Sequence, residues 1–87
     1  MSKMHLGAHA PSEGARRLAG WMARECRGVL AVAGHSLGIE PARVQSMLSG
    51  DLLPGDEIGE PLFHRAKIDR LLFQRPATGE WFADASR

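Results

Sequence analysis

The chain has 87 residues, 44% of them hydrophobic and 24% charged, with a formal net charge of +1 and a single cysteine. This length limits it to one small domain with a modest core, and the composition is that of a globular chain, neither disordered nor fibrous. The longest apolar run, Val29 to Gly34, is far short of the roughly 20 residues a spanning helix needs, the N-terminal stretch lacks a secretory apolar core, and one cysteine allows no internal disulfide. The expected setting is therefore the cytoplasm, without membrane contact.

The charges are segregated along the chain. Residues 1–38 carry Lys3, Arg16, Arg17, Arg24 and Arg27 against Glu13 and Glu25, whereas residues 39–61 carry Arg43 against Glu40, Asp51, Asp56, Glu57 and Glu60. Residues 62–87 are again basic, through Arg65, Lys67, Arg70, Arg75 and Arg87 against Asp69, Glu80 and Asp84. Basic ends suit phosphate contacts, but the balance does not demand a nucleic-acid partner.

Residues 1–10 show no hydrophobic periodicity and are expected to form a flexible arm ahead of one domain over 11–87. Ser12 followed by Glu13 is a helix-start signal, and Ala15, Leu18, Ala19, Met22 and Cys26 then recur at three- and four-residue spacing. The spacing predicts an amphipathic helix ending near Gly28, with Cys26 as inert core. Trp21 lies off that face and is expected to meet a neighbouring element or a second chain.

The next stretch, VLAVAGHSLG, contains the G-x-S-x-G spacing of a nucleophile elbow. Over six residues, AGHSLG resembles the serine motif of malonyl-transacylase-type acyltransferases. An elbow needs a strand ending at Ser36 and a helix starting at once after it. Pro41 falls inside that required helix, where it would cost about 3 kcal/mol or more. His64 is the only later histidine, with no parallel sheet to hold it. A non-catalytic chain is therefore expected.

As a helix, the same stretch puts Leu30, Ala33 and Leu37 on one face, with Gly34 as a small residue where another backbone can approach and Gly38 as the stop. Pro41 then opens a second helix, where its missing N–H does no harm. Val44, Met47 and Leu48 form the buried face of PARVQSMLS, and Gly50 closes it. Two short helices joined by a tight glycine turn make a helix-turn-helix. Residues 29–50 resemble the lambda repressor and Cro-like helix-turn-helix family, through Leu30, Ala33, Gly34, Leu37, Gly38, Ile39, Val44 and Met47. The phrase LSGDLLPGDE is also similar to the segment after the recognition helix in Cro-like regulators, where a glycine turn and a proline loop lead to the next helix.

The resemblance implies a small transcriptional regulator that binds duplex DNA, commonly as a homodimer, with the outward side chains of residues 41–49 in the major groove. Gln45 is then the adenine reader, Ser46 and Ser49 bond to bases or phosphates, Arg43 serves a phosphate or a guanine, and Ala42 offers apolar contact. Arg16 and Arg17 are expected to supply phosphate contacts. Glu40 and the acids after it oppose this. The alternative is a protein-interaction module, antitoxin-like or subunit-binding, that keeps the fold without DNA.

Residues 50–61, with two prolines and three glycines, are expected to be an acidic loop, and Pro61 is expected to open a further helix through Phe73. An extended tail anchored by Trp81 and Phe82 would follow. In the competing pattern, IDRLLFQ and EWFADA are strands of a C-terminal β-hairpin. The expected fold class is thus mainly α, a small helical domain with a helix-turn-helix and a short β-hairpin or extended tail. No metal or cofactor is expected, because His5, His9, His35, His64 and Cys26 form no ligand cluster.

Overall fold

In the computed structural model, residues 10–79 and 81 are described. Ser12 sets the start of the first helix: its backbone is extended, and its side-chain oxygen accepts a hydrogen bond from the Ala15 N–H at 3.0 Å. That bond satisfies a donor that the helix cannot pair internally. Helix α1 spans Glu13–Glu25 and buries Ala15, Leu18, Ala19 and Met22, with Cys26 buried just beyond its end. It stops because Arg27 and Gly28 both take positive φ, and the N–H groups of Cys26 and Gly28 both donate to the Met22 carbonyl at 2.8 and 2.9 Å. Trp21 is buried within this chain.

Helices α2 (Leu30–Leu37) and α3 (Pro41–Ser49) come next, as the spacing predicts. Gly38, at φ 71°, ends the first and Gly50, at φ 87°, ends the second. Pro41 occupies the first turn of α3, where no partner for an N–H is needed. Ala33, Leu37, Val44 and Met47 meet Leu18 of α1 in the core.

The second half departs from the expectation. Helix α4 (Asp56–Pro61) lies inside the expected loop and runs directly into a π-helical turn at Leu62–Ala66. Pro61 is therefore within a helix rather than at its start. Asp56 and Glu57, which contribute to the loop-like composition, occupy the first turn of α4, where carboxylates favour the positive end of the helix dipole. Ile58, Leu62 and Ala66, four residues apart, face the core.

The expected continuous helix to Phe73 is broken at Lys67, which takes φ 61° and returns its N–H toward Leu62 and Phe63. After residues 67–69 the chain makes a 3-10 turn at Arg70–Gln74, opened by the Asp69 carboxylate accepting from the Leu71 N–H at 2.9 Å. The first strand of the hairpin pattern is thus a helical turn, and among the described residues there is no strand. Apart from Trp81, which is buried, the hairpin's second half lies outside the described residues, Phe82 included, as do residues 1–9 of the arm, whose last residue, Ala10, is buried in the core. The fold is mainly α, one small helical domain.

The 3-10 turn is seated on the start of α1. A Cβ on Gly14 would stand 2.3 Å from the Phe73 ring, so the ring lies directly on the α1 backbone. The Glu13 N–H donates to the Arg75 carbonyl at 2.9 Å beside it.

Candidate nucleic-acid interface

The relation between α2 and α3 is fixed by the absence of one methyl group. A Cβ on Gly34 would fall 2.6 Å from the Ile39 carbonyl oxygen and 3.0 Å from the Pro41 ring, so the turn folds back onto α2 at van der Waals distance. The Gly34 carbonyl accepts from the Ile39 N–H at 2.9 Å, which closes the turn. Ile39 is driven inward, and Val44 and Met47 are fully buried against the rest of the domain. One side of α3 is thereby committed to the core, and the other is left outside.

That outer side carries Pro41, Ala42, Arg43, Gln45 and Ser49, all exposed, with Ser46 half-buried. The structure brings five of the seven sequence-predicted residues together here. Arg43 stands on the first turn with its Nε 3.6 Å from Glu40 Oε1, and both side chains are exposed. The Ser49 hydroxyl is within 3.1 Å of the Ser46 carbonyl and 3.0 Å of an Asp51 carboxylate oxygen, to which it donates. Ser49 therefore belongs to the local closure of α3.

Arg16 is the clear correction. Its side chain is only 7% exposed, and its guanidinium donates in fork geometry to Glu13, from Nε to Oε1 at 2.9 Å and from Nη2 to Oε2 at 2.6 Å. A phosphate cannot reach it. Arg17 is 53% exposed and donates from Nε to Glu13 Oε2 at 2.8 Å, leaving part of its guanidinium at the surface. The sequence did contain the signal: Glu13 precedes both arginines by three and four residues, the spacing at which helical side chains meet.

Glu13 carries no site signal in the sequence, yet it holds the most elaborate polar cluster in the described chain. Besides the two arginines, its Oε1 accepts from the Thr78 N–H at 2.8 Å and the Thr78 hydroxyl at 3.0 Å. The Arg16 hydrogen bond, opposed by burial and reinforced by Thr78 and Arg17, holds its carboxyl far below the usual carboxylate range.

The serine of the G-x-S-x-G spacing sits in the last turn of α2, half-buried. Its carbonyl accepts from Arg65 Nη1 at 3.2 Å, a cation at the negative end of the helix dipole. Neither a strand before it nor an elbow is formed. Arg65 joins the π turn to α2, a link between distant segments that no local pattern could announce. Burial pushes the Cys26 thiol up, with the charge of Glu25 adding to the effect. Among the described residues no three His, Cys, Asp or Glu side chains are grouped to hold a metal ion, and no helix is long and apolar enough to cross a membrane. His5 and His9 lie outside the described residues.

Compared with known proteins, the chain matches no family model, no curated protein and no solved structure.

Proposed function

We propose that this chain is a small transcriptional regulator that reads duplex DNA with α3, acting as a homodimer in the cytoplasm. The observation that carries the proposal is the close contact of Gly34 with Ile39 and Pro41, which holds α3 at a fixed attitude with Ala42, Arg43 and Gln45 turned outward. A helix presented in this way by a short turn is the element that enters the major groove in helix-turn-helix proteins. Gln45 has the donor and acceptor pair that matches adenine N7 and N6, Ala42 can meet a thymine methyl, and Ser46 and the exposed part of Arg17 serve phosphates. Two copies would place two such helices one helical turn of DNA apart. No catalytic role is assigned to Ser36.

A second reading is favoured by one observation. Arg16 is withdrawn into an ion pair and Glu40 stands beside Arg43, so the outer face of α3 is close to neutral. Such a face suits a protein partner, and the fold would then be an interaction module.

Selection from a random duplex library at low and moderate salt separates the two. A DNA reader enriches one sequence, and the Gln45→Ala, Ser46→Ala double variant loses that enrichment while its affinity falls with salt. No enrichment at either salt would leave the interaction module as the function.

A further inference from the structure

We infer that Glu40 and Arg43 act together as one reading unit that selects a G·C base pair. The inference rests on α3 being a DNA-reading helix, as proposed above. The two side chains stand three residues apart at the start of α3, exposed 79% and 58%, with Arg43 Nε 3.6 Å from Glu40 Oε1. The carboxylate makes no capping bond to the helix; the backbone carbonyl of Glu40 does that work, accepting from the N–H groups of Arg43 and Val44 at 2.9 and 3.1 Å. The carboxylate is thus committed to no hydrogen bond in starting α3.

The chemistry of the pair is complementary to one base pair and opposed to the other. A guanidinium has five donors in a rigid fork, so an ion pair through Nε leaves the terminal nitrogens for the O6 and N7 acceptors of guanine. The second oxygen of Glu40 remains an acceptor and suits the N4 amino group of cytosine. An A·T pair presents a donor, adenine N6, where Arg43 needs an acceptor, and an acceptor, thymine O4, where Glu40 needs a donor. Both side chains therefore reject it. An exposed pair of this kind contributes little to stability, so turning it toward a base costs the domain little. The same pairing accounts for a carboxylate on a face that must approach phosphates: beside Arg43 it is neutralised.

The test uses the full chain and the best duplex from the random-library selection, with each base pair replaced in turn. One position is expected to prefer G·C over A·T by roughly 5- to 150-fold, the range of a single good bidentate contact. At that position, 7-deazaguanine, which lacks the N7 acceptor, weakens the wild type and leaves Arg43→Ala unchanged. Glu40→Ala tightens binding to every duplex but lowers the G·C preference at this position several-fold, whereas Gln45→Ala leaves that preference intact. Circular dichroism and Tm confirm that each variant is folded. If Arg43→Ala weakens all duplexes equally, or Glu40→Ala tightens all of them with the preference unchanged, the pair is only a charge contact and the inference falls while DNA reading stands. If the wild type selects no duplex, both fall together.

Discussion

Glu13 accepts hydrogen bonds from both the backbone N–H and the hydroxyl of Thr78, 65 positions later in the chain. With Phe73 lying on Gly14 and the Glu13 N–H bonded to the Arg75 carbonyl, this fastens the last described segment to the first turn of α1. Glu13 and Arg16 are buried together at the centre of the cluster, with Arg17 as a second cation on Glu13.

Glu13→Gln is expected to destabilise the domain by about 3 kcal/mol, because it removes the buried charge that pairs with Arg16 and Arg17 and accepts from Thr78. Thr78→Val removes only the hydroxyl bond and is expected to cost about 1 kcal/mol. Urea unfolding midpoints measure both, and a Glu13→Gln loss no larger than that of Thr78→Val would contradict the cluster's central role.

The same carboxylate sets an acid dependence. Its folded value lies below the ordinary 4.5, so its contribution is fully present above that value and is lost as the pH falls toward the lowered one. The stability difference between wild type and Glu13→Gln should be constant from about pH 6 to pH 8 and shrink once the pH falls below the ordinary carboxylate value. Thermal unfolding across that range decides it, and a difference that grew on acidification would reverse the assigned sign.

Arg16 and Arg17 are neighbours with opposite duties. Arg16→Ala strips the main partner from a buried carboxylate and is expected to cost about 3 kcal/mol. Arg17→Ala, at a half-exposed position, should cost less than about 1 kcal/mol but weaken DNA binding and flatten its salt dependence. Parallel unfolding and salt-titrated binding curves separate stability from phosphate contact.

Two glycine-to-alanine changes should act in opposite directions. Gly34→Ala drives a methyl into the Ile39 backbone carbonyl and is expected to cost about 1–3 kcal/mol while displacing α3. Gly20→Ala, whose Cβ would meet only the end of Arg24 at 3.5 Å, should stabilise α1 by about 0.5–1 kcal/mol. Tm shifts of opposite sign are the expected outcome, with DNA selection lost only for Gly34→Ala.

The first half of the fold was legible because its signals are local. Ser12, Gly38, Pro41 and Gly50 each fix a helix boundary through their own backbone or side-chain chemistry, and the apolar spacing of Leu18, Leu37, Val44 and Met47 matches the faces buried in the core. The second half misled because its composition carries two meanings. Asp56, Glu57 and Gly59 suit a loop, yet the acids sit at a helix start and the missing side chain of Gly59 admits Arg70, whose Cδ would stand 2.6 Å from an added Cβ. Lys67 gives no sequence sign of its left-handed backbone. At the candidate interface the exposed face of α3 followed from periodicity, whereas the loss of Arg16 to Glu13 required weighing an ion pair against an expected surface.

Among the described residues, α1, α2 and α3 each finish at or just before a residue with positive φ, at Arg27 and Gly28, Gly38 and Gly50, and Lys67 does the same for the π turn that continues α4. The first three rods, and the last as prolonged by its π turn, therefore carry their own stops and need no neighbour to tell them how long to be. Assembly then reduces to bringing short, pre-measured pieces together, with a late and distant step, the closure of the segment from Phe73 to Thr78 onto α1, whose loop entropy must be met before its contacts reward it. A step completed after the rate-limiting barrier leaves its mark on the way out: loosening that seat at Thr78 should quicken unfolding in a chevron while refolding keeps its pace.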